Sequence, residues 1–399
     1  MTKKILVLLT LLIVLSSCQK DESTAEVQEI EEVEELEEAK VEAIENVVDY
    51  SEYHNGIDKV ADKLSVYGMQ VVVFKDEDIL DSYNYGYADI KNETKVNDDT
   101  VFRIASTSKM ISNMLVMKLV DEGKLSLNSN LKELTGLAFD DNVKLYHILT
   151  HTSGLADSSV FNDNLDSIFD LDYLLKISKV SKPGEQYIYS NFAAGTMAAI
   201  IESVTGEYFM DYAQRELFDY LDLNAAYVAD YLDEGTEIAK MYLGDEVFDP
   251  KTWLYNKDFH MQFELGKQYR LPYGSLLISG KDLAVLGMVL ANDGSYKGKK
   301  VLSQNTLNEI KTARDKAIGY KYLMALNTNL FFDLVEDKII YGHTGSAYGA
   351  ITCLVYDSIS HSGVVALTNH ASSANNDIGY NALLYDVVNL AYKYVLSEE

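Results

Sequence analysis

Residues 102–109 read FRIASTSK, and this stretch sets both the fold and the chemistry that the chain can have. Ser106 and Lys109 form an S-x-x-K tetrad at the start of a segment, 110–120, with apolar residues at helical spacing. Positions three apart share one helix face, so the hydroxyl and the amine would lie close together. The same tetrad occurs elsewhere, at Ser17–Lys20 and Ser129–Lys132. The tetrad alone therefore leaves two interpretations open: a nucleophile with its base, or a serine that caps a helix.

Two other short motifs carry groups that suit nucleophilic catalysis. Tyr189-Ser190-Asn191 offers a phenol and an amide, and His343-Thr344-Gly345 offers a hydroxyl and a backbone N–H. A desolvated lysine loses its proton more easily, so Lys109 can act as a base toward Ser106. A tyrosine near this lysine can exchange protons with it, and an asparagine can orient the lysine. Each triplet is weak by itself, because Y-x-N recurs at Tyr53–Asn55 and His-Thr-Gly can form a turn.

The ordered set of S-x-x-K, Y-x-N and H-T-G resembles the signature of the serine β-lactamase and penicillin-binding protein superfamily. Longer stretches follow the same order, and they include LYHILTHTSGL (145–155), PGEQYIYSNFAAG (183–195), GSLLISGKDLAVLG (274–287) and YGHTGSAYG (341–349). Together they resemble the class C β-lactamase-like serine hydrolases, a family that includes D-alanyl-D-alanine carboxypeptidases, D-aminopeptidases and esterases. The resemblance extends from about residue 50 to 395.

The resemblance implies catalytic roles for five side chains, one of which is His343 of the His-Thr-Gly motif. Ser106 would be acylated, and Lys109 would take the proton from its hydroxyl. Tyr189 would be the partner acid/base that also activates the deacylating water. Asn191 would orient this network of side chains. The resemblance implies no cofactor.

It also implies roles for the His-Thr-Gly strand. The backbone amides of Ser106 and Ser346 would form the oxyanion hole, since Ser346 directly follows Gly345. Thr344 and His343 would line the site and meet the carboxylate of a substrate. Dedicated class C β-lactamases carry lysine where this chain has His343, and histidine is mostly neutral near pH 7. A β-lactam carboxylate should therefore bind less firmly. His-Thr-Gly instead resembles the carboxypeptidase and esterase branches of the family.

The predicted function is that of a serine hydrolase that forms an acyl-enzyme on Ser106 and acts on D-amino-acid peptides, such as cell-wall D-Ala peptides, or on small esters. Three alternatives remain: a dedicated esterase, a slow β-lactam-acylating protein, and a non-catalytic, lipid-anchored sensor or binding protein. His147 and His151 invite a metal interpretation, but no third ligand follows at a suitable spacing, so no metal is predicted. We expect their motif to support the helical lobe.

Strand-like runs lie at both ends of the globular part. Two of them, 69–76 and 79–89, are separated by a polar turn and predict a hairpin, and three more lie between 338 and 369. A helical pattern over 374–396 closes the chain. These patterns predict an α+β fold, in which an antiparallel sheet built from both chain ends is flanked by terminal helices. A mainly helical lobe, from about 106 to 315, is inserted, as in β-lactamases and transpeptidases.

The first eighteen residues resemble a bacterial lipoprotein signal. MTKK precedes an apolar run too short to span a bilayer, and the run ends in Leu-Ser-Ser-Cys, so Cys18 would be lipidated. From 21 to 49, thirteen acidic side chains accompany one lysine, giving this segment a charge of −12. Such a density of like charge predicts a solvated tether over 19–48, followed by a hydrolase domain over 49–397. The predicted location is the bacterial cell envelope, with membrane attachment through Cys18.

Charge and cysteine content exclude other classes of function. The net charge is −28 and no basic stripe is present, which argues against a nucleic-acid partner. Cys18 and Cys353 are the two cysteines, so no disulfide framework is available. Cys353 lies in AITCLVYD and is predicted to be a small buried apolar residue. The family resemblance implies a peptide or ester substrate as partner, including peptidoglycan stem peptides or β-lactams, and the lipoprotein-like signal predicts a membrane.

Overall fold

The computed structural model describes residues 49–164, 166–251, 256–314 and 322–397. The chain divides into two units, Met1–Tyr50 and Ser51–Glu399. Of the first unit only Asp49 and Tyr50 are described, so the predicted signal with Cys18 and the predicted tether lie outside the described residues. Within the described ranges, each helix is too short or too polar to span a membrane.

An eight-stranded antiparallel sheet organises the second unit. The described strands, in chain order, are β1 (Gly68–Lys75), β2 (Asp78–Asp89), β3 (Thr94–Lys95), β4 (Phe102–Arg103), β5 (Met241–Leu243), β6 (Glu246–Phe248), β7 (Leu277–Ile278), β8 (Ser295–Tyr296), β9 (Lys299–Lys300), β10 (Tyr322–Met324), β11 (Asn329–Phe331), β12 (Ile340–Ala347), β13 (Ala350–Asp357) and β14 (Ser362–Thr368). The large sheet has the order β10-β11-β12-β13-β14-β1-β2-β3. Three short pairs, β4-β7, β5-β6 and β8-β9, lie outside it.

Helices form the remaining regular structure. In chain order those described are α1 (Ser51–Lys63), α2 (Ser108–Asp121), α3 (Leu131–Thr135), α4 (Leu145–Leu149), α5 (Ser159–Asn162), α6 (Leu171–Ile177), α7 (Asn191–Gly195), α8 (Met197–Thr205), α9 (Phe209–Ala213), α10 (Asp219–Leu221), α11 (Lys257–His260), α12 (Gly280–Ala291), α13 (Gln304–Lys311) and α14 (Ala382–Tyr394). Short 3₁₀ turns occur at Ala105–Thr107 and Ala229–Tyr231, and a π-helical turn occurs at Gln214–Phe218.

The centre of the sheet joins the two ends of the chain, as predicted. Strand β1 pairs with β2 in a hairpin and with β14 on its other side, so that Val72 lies opposite Val365. Strand β1 is buried along its length except for Lys75, because both sheet faces are covered. Side chains alternate between the faces. Helix α12 packs on one face, and α14, which packs against α1, contacts β13 and β14 on the other.

Two boundaries differ from the sequence patterns. The closing helix begins at Ala382, after Asn381, whose side-chain oxygen accepts hydrogen bonds from the Leu383 and Leu384 amides. Asn381 therefore caps the start of the helix, whereas the sequence pattern alone had placed this residue inside a longer helix that begins at residue 374. The inserted segment returns to the sheet before its predicted end, because α12 packs on β1, β13 and β14. The α+β prediction itself is confirmed.

Gly287 tests how tightly α12 packs on the sheet. A β-carbon at this position would lie 2.7 Å from Phe74 Cζ and 2.8 Å from Leu354 Cδ1. We expect Gly287→Ala to lower the free energy of unfolding by about 1–3 kcal/mol through overpacking. This loss outweighs the roughly 1 kcal/mol that alanine gains over glycine in helix propensity. Chemical denaturation measures the change.

The matched control is Phe74→Leu, which removes the ring tip that the new methyl group meets. In the Gly287→Ala background, Phe74→Leu should recover part of the lost stability, although alone it destabilises by leaving a cavity. Strictly additive effects would show that the two side chains do not collide.

Candidate active site

Ser106 lies where a sharp turn leads from β4 into α2. The residue before it, Ala105, has a positive φ of 48°, which is strained for a side chain with a β-carbon. The Ile104 carbonyl accepts a 2.7 Å hydrogen bond from the Thr352 hydroxyl on β13, and this fixes the turn against the sheet. From Val101 to Met117, Ser106 is the one residue that is not buried. Within this segment the fold therefore leaves only Ser106 accessible to a substrate.

The capping interpretation of Ser106 does not hold in the structure. Neither the 3₁₀ turn at Ala105–Thr107 nor α2 has a side-chain capping bond at its start. The Ser106 hydroxyl instead lies 2.9 Å from the Lys109 amine. The tetrad thus brings the hydroxyl and the amine together, one turn apart on the same face.

Lys109 is fully buried and has three polar neighbours. Its Nζ lies 2.9 Å from Ser106 Oγ, 2.8 Å from Asn191 Oδ1 and 2.8 Å from the Tyr273 carbonyl oxygen. Burial lowers the pKa of Lys109 to about 7, which the charge of Asp157 partly offsets and that of Arg103 reinforces. The amine is therefore deprotonated in an appreciable fraction of molecules at neutral pH.

The three neighbours suit a neutral amine. Asn191 Oδ1 and the Tyr273 carbonyl can only accept, so they take the two N–H bonds of an uncharged amine. The lone pair of the Lys109 nitrogen is then free to accept a hydrogen bond from the Ser106 hydroxyl. This arrangement allows Lys109 to remove that proton.

Asp157 fixes the orientation of Asn191. Its carboxylate accepts hydrogen bonds from the Asn191 side-chain amide at 3.1 Å, the Ser190 hydroxyl at 2.8 Å and the Phe192 amide at 2.8 Å. Because the NH₂ group of Asn191 faces Asp157, its carbonyl oxygen must face Lys109. Sequence analysis did not identify Asp157, which no motif marks. It also missed the Tyr273 carbonyl, since a main-chain acceptor has no signature in a sequence.

Tyr189 lies beside the amine. The Lys109 Nζ is 4.9 Å from the centre of the Tyr189 ring, which is partly exposed. The imidazole of His151 packs against the same ring with 4.5 Å between centres. His151 therefore borders the site, although sequence analysis expected its motif to support the helical lobe. His147 does have a local structural role, because its Nδ1 accepts a hydrogen bond from the Lys144 amide at the start of α4.

Strand β12 presents the His-Thr-Gly motif beside Ser106. Alternation along the strand leaves Thr344 partly exposed and Ser346 exposed, and it buries His343 and Gly345. A β-carbon at Gly345 would lie 3.0 Å from the Ser106 amide nitrogen and 2.5 Å from the Ile104 carbonyl oxygen. Only glycine therefore lets this strand approach the nucleophile so closely. The approach brings the strand carrying Ser346 beside the Ser106 amide, where an oxyanion hole requires it.

His343 is buried and neutral. Its Nδ1 donates a 2.7 Å hydrogen bond to the Thr344 carbonyl oxygen. Burial, together with the charge of Lys109, lowers the pKa of His343 to about 3. The imidazole thus supplies no positive charge to a substrate carboxylate near neutral pH.

Two further sequence predictions concern metal ligands and the second cysteine. Across the described ranges, no three His, Cys, Asp or Glu side chains converge in a way that would hold a metal ion. Cys353 is buried on β13, opposite Thr344, and burial raises the pKa of its thiol to about 12. It is therefore a structural residue rather than a nucleophile.

Comparison with known proteins identifies similar chains. A family model described as Beta-lactamase matches residues 47–388. The N-acetylmuramyl-L-alanine amidase of Bacillus subtilis (strain 168) is 24% identical over 352 residues, which cover 76% of this chain and 77% of that protein. A Salmonella paratyphi A (strain ATCC 9150 / SARB42) protein named "Putative D-alanyl-D-alanine carboxypeptidase" is 24% identical over 368 residues. These residues cover 79% of this chain and 82% of that protein.

A solved structure shows the same fold. It is the crystal structure of a β-lactamase/D-alanine carboxypeptidase from Pseudomonas syringae, which matches with a TM-score of 0.68 and 18% identity. The match covers 87% of this chain and 98% of that chain.

Asp157→Asn tests the electrostatic coupling of Asp157 to Lys109. The negative charge of Asp157 raises the pKa of Lys109, so its removal should lower that pKa further. The reaction of Ser106 with a serine-directed fluorophosphonate should then increase at lower pH than in the wild type. The maximum rate should fall, because the substituted side chain no longer dictates which way the Asn191 amide faces. Labelling rates between pH 5 and 9 measure both effects.

Asp163→Asn is the matched control, since it removes the same charge from an exposed position in the same lobe. It should leave the pH profile unchanged. A profile for Asp157→Asn that coincides with that of the wild type would exclude the coupling.

Proposed function

This chain belongs to the beta-lactamase family and is a serine hydrolase, and we propose that it cleaves D-amino-acid peptides or small esters through an acyl-enzyme on Ser106. One observation carries the proposal: the Ser106 hydroxyl lies 2.9 Å from a buried amine whose pKa is about 7. A general base is most effective when its pKa lies near the working pH.

Acylation begins with proton transfer from the Ser106 hydroxyl to the neutral Lys109 amine. The serine oxygen then attacks the substrate carbonyl carbon, and the electron pair of the C=O bond moves to its oxygen. The amides of Ser106 and Ser346 stabilise that oxyanion. Collapse of the intermediate re-forms the C=O bond and breaks the bond to the leaving amine or alcohol. The leaving group takes a proton that Lys109 supplies through Tyr189.

Deacylation uses the same groups in the reverse sense. Tyr189, whose ring face lies beside Lys109, passes its phenolic proton to the neutral Lys109 amine as it accepts a proton from a water molecule, and the hydroxide attacks the acyl carbonyl carbon. The bond to Ser106 Oγ breaks, and Lys109 then returns a proton to the serine oxygen. Asn191 keeps the lysine in place through both steps.

The neutral state of His343 narrows the substrate class. A substrate with a carboxylate beyond the scissile bond needs a cation near this strand, and the buried imidazole has none to offer. Esters, and peptides whose leaving group carries no free carboxylate, are therefore favoured over β-lactams and over peptides with a free C-terminal carboxylate.

A charge-matched pair of substrates tests this function. An acyl-D-Ala-D-Ala peptide and its C-terminal amide differ only in the terminal charge. We expect the amide to be hydrolysed with the higher kcat/KM, and an activated ester to be hydrolysed as well. Ser106→Ala should abolish all of these reactions without changing the thermal unfolding of the protein. Mass spectrometry of the wild-type protein should show the acyl adduct on Ser106.

Two outcomes would count against the proposal. Turnover by purified Ser106→Ala protein would remove Ser106 from the mechanism. A preference for the free acid would show that another cation receives the carboxylate.

We also propose that the protein is a lipoprotein of the cell envelope, attached through Cys18. The support is the sequence alone: a basic start, a short apolar run and small residues before the cysteine. In a bacterial host, metabolic labelling with an alkyne fatty acid should label the wild type and the Cys353→Ser control. Cys18→Ser should lose the label and leave the membrane fraction. Labelling that persists in Cys18→Ser would refute the anchor.

A further inference from the structure

Two buried histidines lie behind the catalytic groups, and each uses one ring nitrogen in a hydrogen bond to the described residues. His151 lies in the THTSG stretch of the helical lobe, and His343 lies on β12 of the sheet. Their exposed fractions are 1% and 3%. In both rings the Nε2 atom is buried and has no hydrogen-bond partner among the described residues. Buried polar atoms of this kind call for an explanation, because leaving them unpaired costs free energy.

The neighbours of His151 determine where its proton lies. The Ser190 backbone amide donates a 3.2 Å hydrogen bond to His151 Nδ1. Because an amide N–H can only donate, Nδ1 must be the ring's acceptor. The proton of the neutral ring is therefore on Nε2, and the unpaired atom of His151 is a donor.

His343 has the opposite arrangement. Its Nδ1 lies 2.7 Å from the Thr344 carbonyl oxygen, which can only accept. Nδ1 must therefore carry the proton, and the unpaired Nε2 of His343 is an acceptor. Burial keeps both rings neutral, which is consistent with the lowered pKa of each.

The two histidines lie in neighbouring segments, and the unpaired donor of one matches the unpaired acceptor of the other. The Asn327 amide donates a 2.7 Å hydrogen bond to the carbonyl oxygen of Leu149, two residues before His151. Asn329 lies opposite Gly342, the residue before His343. The segments that carry the two histidines therefore border the same strand end.

Besides burial, the charges of Lys109 and His343 lower the pKa of His151. We propose that His151 and His343 form a donor–acceptor pair bridged by one water molecule, which accepts a hydrogen bond from His151 Nε2–H and donates one to His343 Nε2, and that the pair positions Tyr189 relative to the His-Thr-Gly strand. The positioning role rests on the proposed function, whereas the pairing itself does not.

The pair would join two parts of the active site that come from different lobes. On one side His151 packs against the Tyr189 ring and binds the Ser190 amide. On the other side His343 belongs to the strand that carries Gly345 and Ser346. His151 also has a positive φ of 57°, a strained conformation that persists only where the surroundings require it.

The pairing also gives a physical reason for histidine at position 343. A lysine ammonium group has donors but no acceptor, so with lysine at this position the bridging water would accept hydrogen bonds from both side chains and could donate to neither. Histidine with its proton on Nδ1 supplies an acceptor for the water that His151 binds.

Nitrogen-15 NMR of the histidine-labelled wild-type chain tests the pairing without any substitution. The chain has seven histidines. At pH 7 we expect one neutral ring protonated on Nε2 and another protonated on Nδ1, assigned to His151 and His343 from the spectra of single His→Gln variants. Both should remain neutral down to pH 5. The same tautomer in both rings, or titration of either near pH 6.5, would overturn the pairing.

Two substitutions at one position test the positioning role. His343→Gln keeps an acceptor near the place of Nε2, whereas His343→Leu removes it at similar size. We expect His343→Leu to reduce kcat for an activated ester roughly 10- to 100-fold with little change in KM, and His343→Gln to recover most of that loss. Proton exchange at His151 Nε2 should be faster in His343→Leu than in His343→Gln. Equal kcat in the two variants would overturn the role.

The results separate this proposal from the proposed function. If the wild-type chain shows the paired tautomers but hydrolyses no substrate, the pair stands and the hydrolase assignment fails. If it hydrolyses esters and the tautomers do not differ, the hydrolase assignment stands and the pair fails. Thermal unfolding of both His343 variants distinguishes a loss of activity from a loss of fold.

Discussion

The burial of one amine constrains the rest of the site. Lys109 is fully enclosed, and no carboxylate of the described residues touches it, because Asn191 stands between it and Asp157. Removing an ammonium ion from water without a contacting counter-ion costs several kcal/mol, so burial favours the neutral amine. This desolvation cost is the main reason for the lowered pKa of Lys109. Lys109 can thus serve as the proposed base because it is buried from water and no carboxylate of the described residues contacts it.

A neutral amine must also be held in one orientation. It is held by acceptors that cannot themselves donate: a main-chain carbonyl and an amide oxygen fixed by Asp157. The fold adds rigidity around Ser106 through the strained turn at Ala105 and the hydroxyl of Thr352. Ser106 and Lys109, the proposed nucleophile and base, are therefore preorganised, so the proposed chemistry needs little rearrangement.

Much of this arrangement could be predicted from the sequence. The α+β fold, the hairpin and the late strands follow from alternation and turn residues, and the three motifs predicted which side chains would meet. A mostly neutral His343 was expected, but its proton on Nδ1 and its pKa of about 3 could not be predicted, because they depend on burial and on a bond to the Thr344 carbonyl. Asp157 and Tyr273 were missed because their roles exist only in three dimensions. The start of α14 was missed because apolar periodicity extends past its capping asparagine.

The pairing of β1 with β14 has a consequence for how activity arises during synthesis. Residues nearly three hundred positions apart in the chain lie side by side, for example Val72 and Val365. Contacts of this range form late in folding, and an emerging chain cannot make them until its last strands are available. A partly made chain already contains Ser106 and Lys109, yet it lacks β12 and the amide of Ser346. The site around Ser106 is therefore complete only after β12 has joined the sheet.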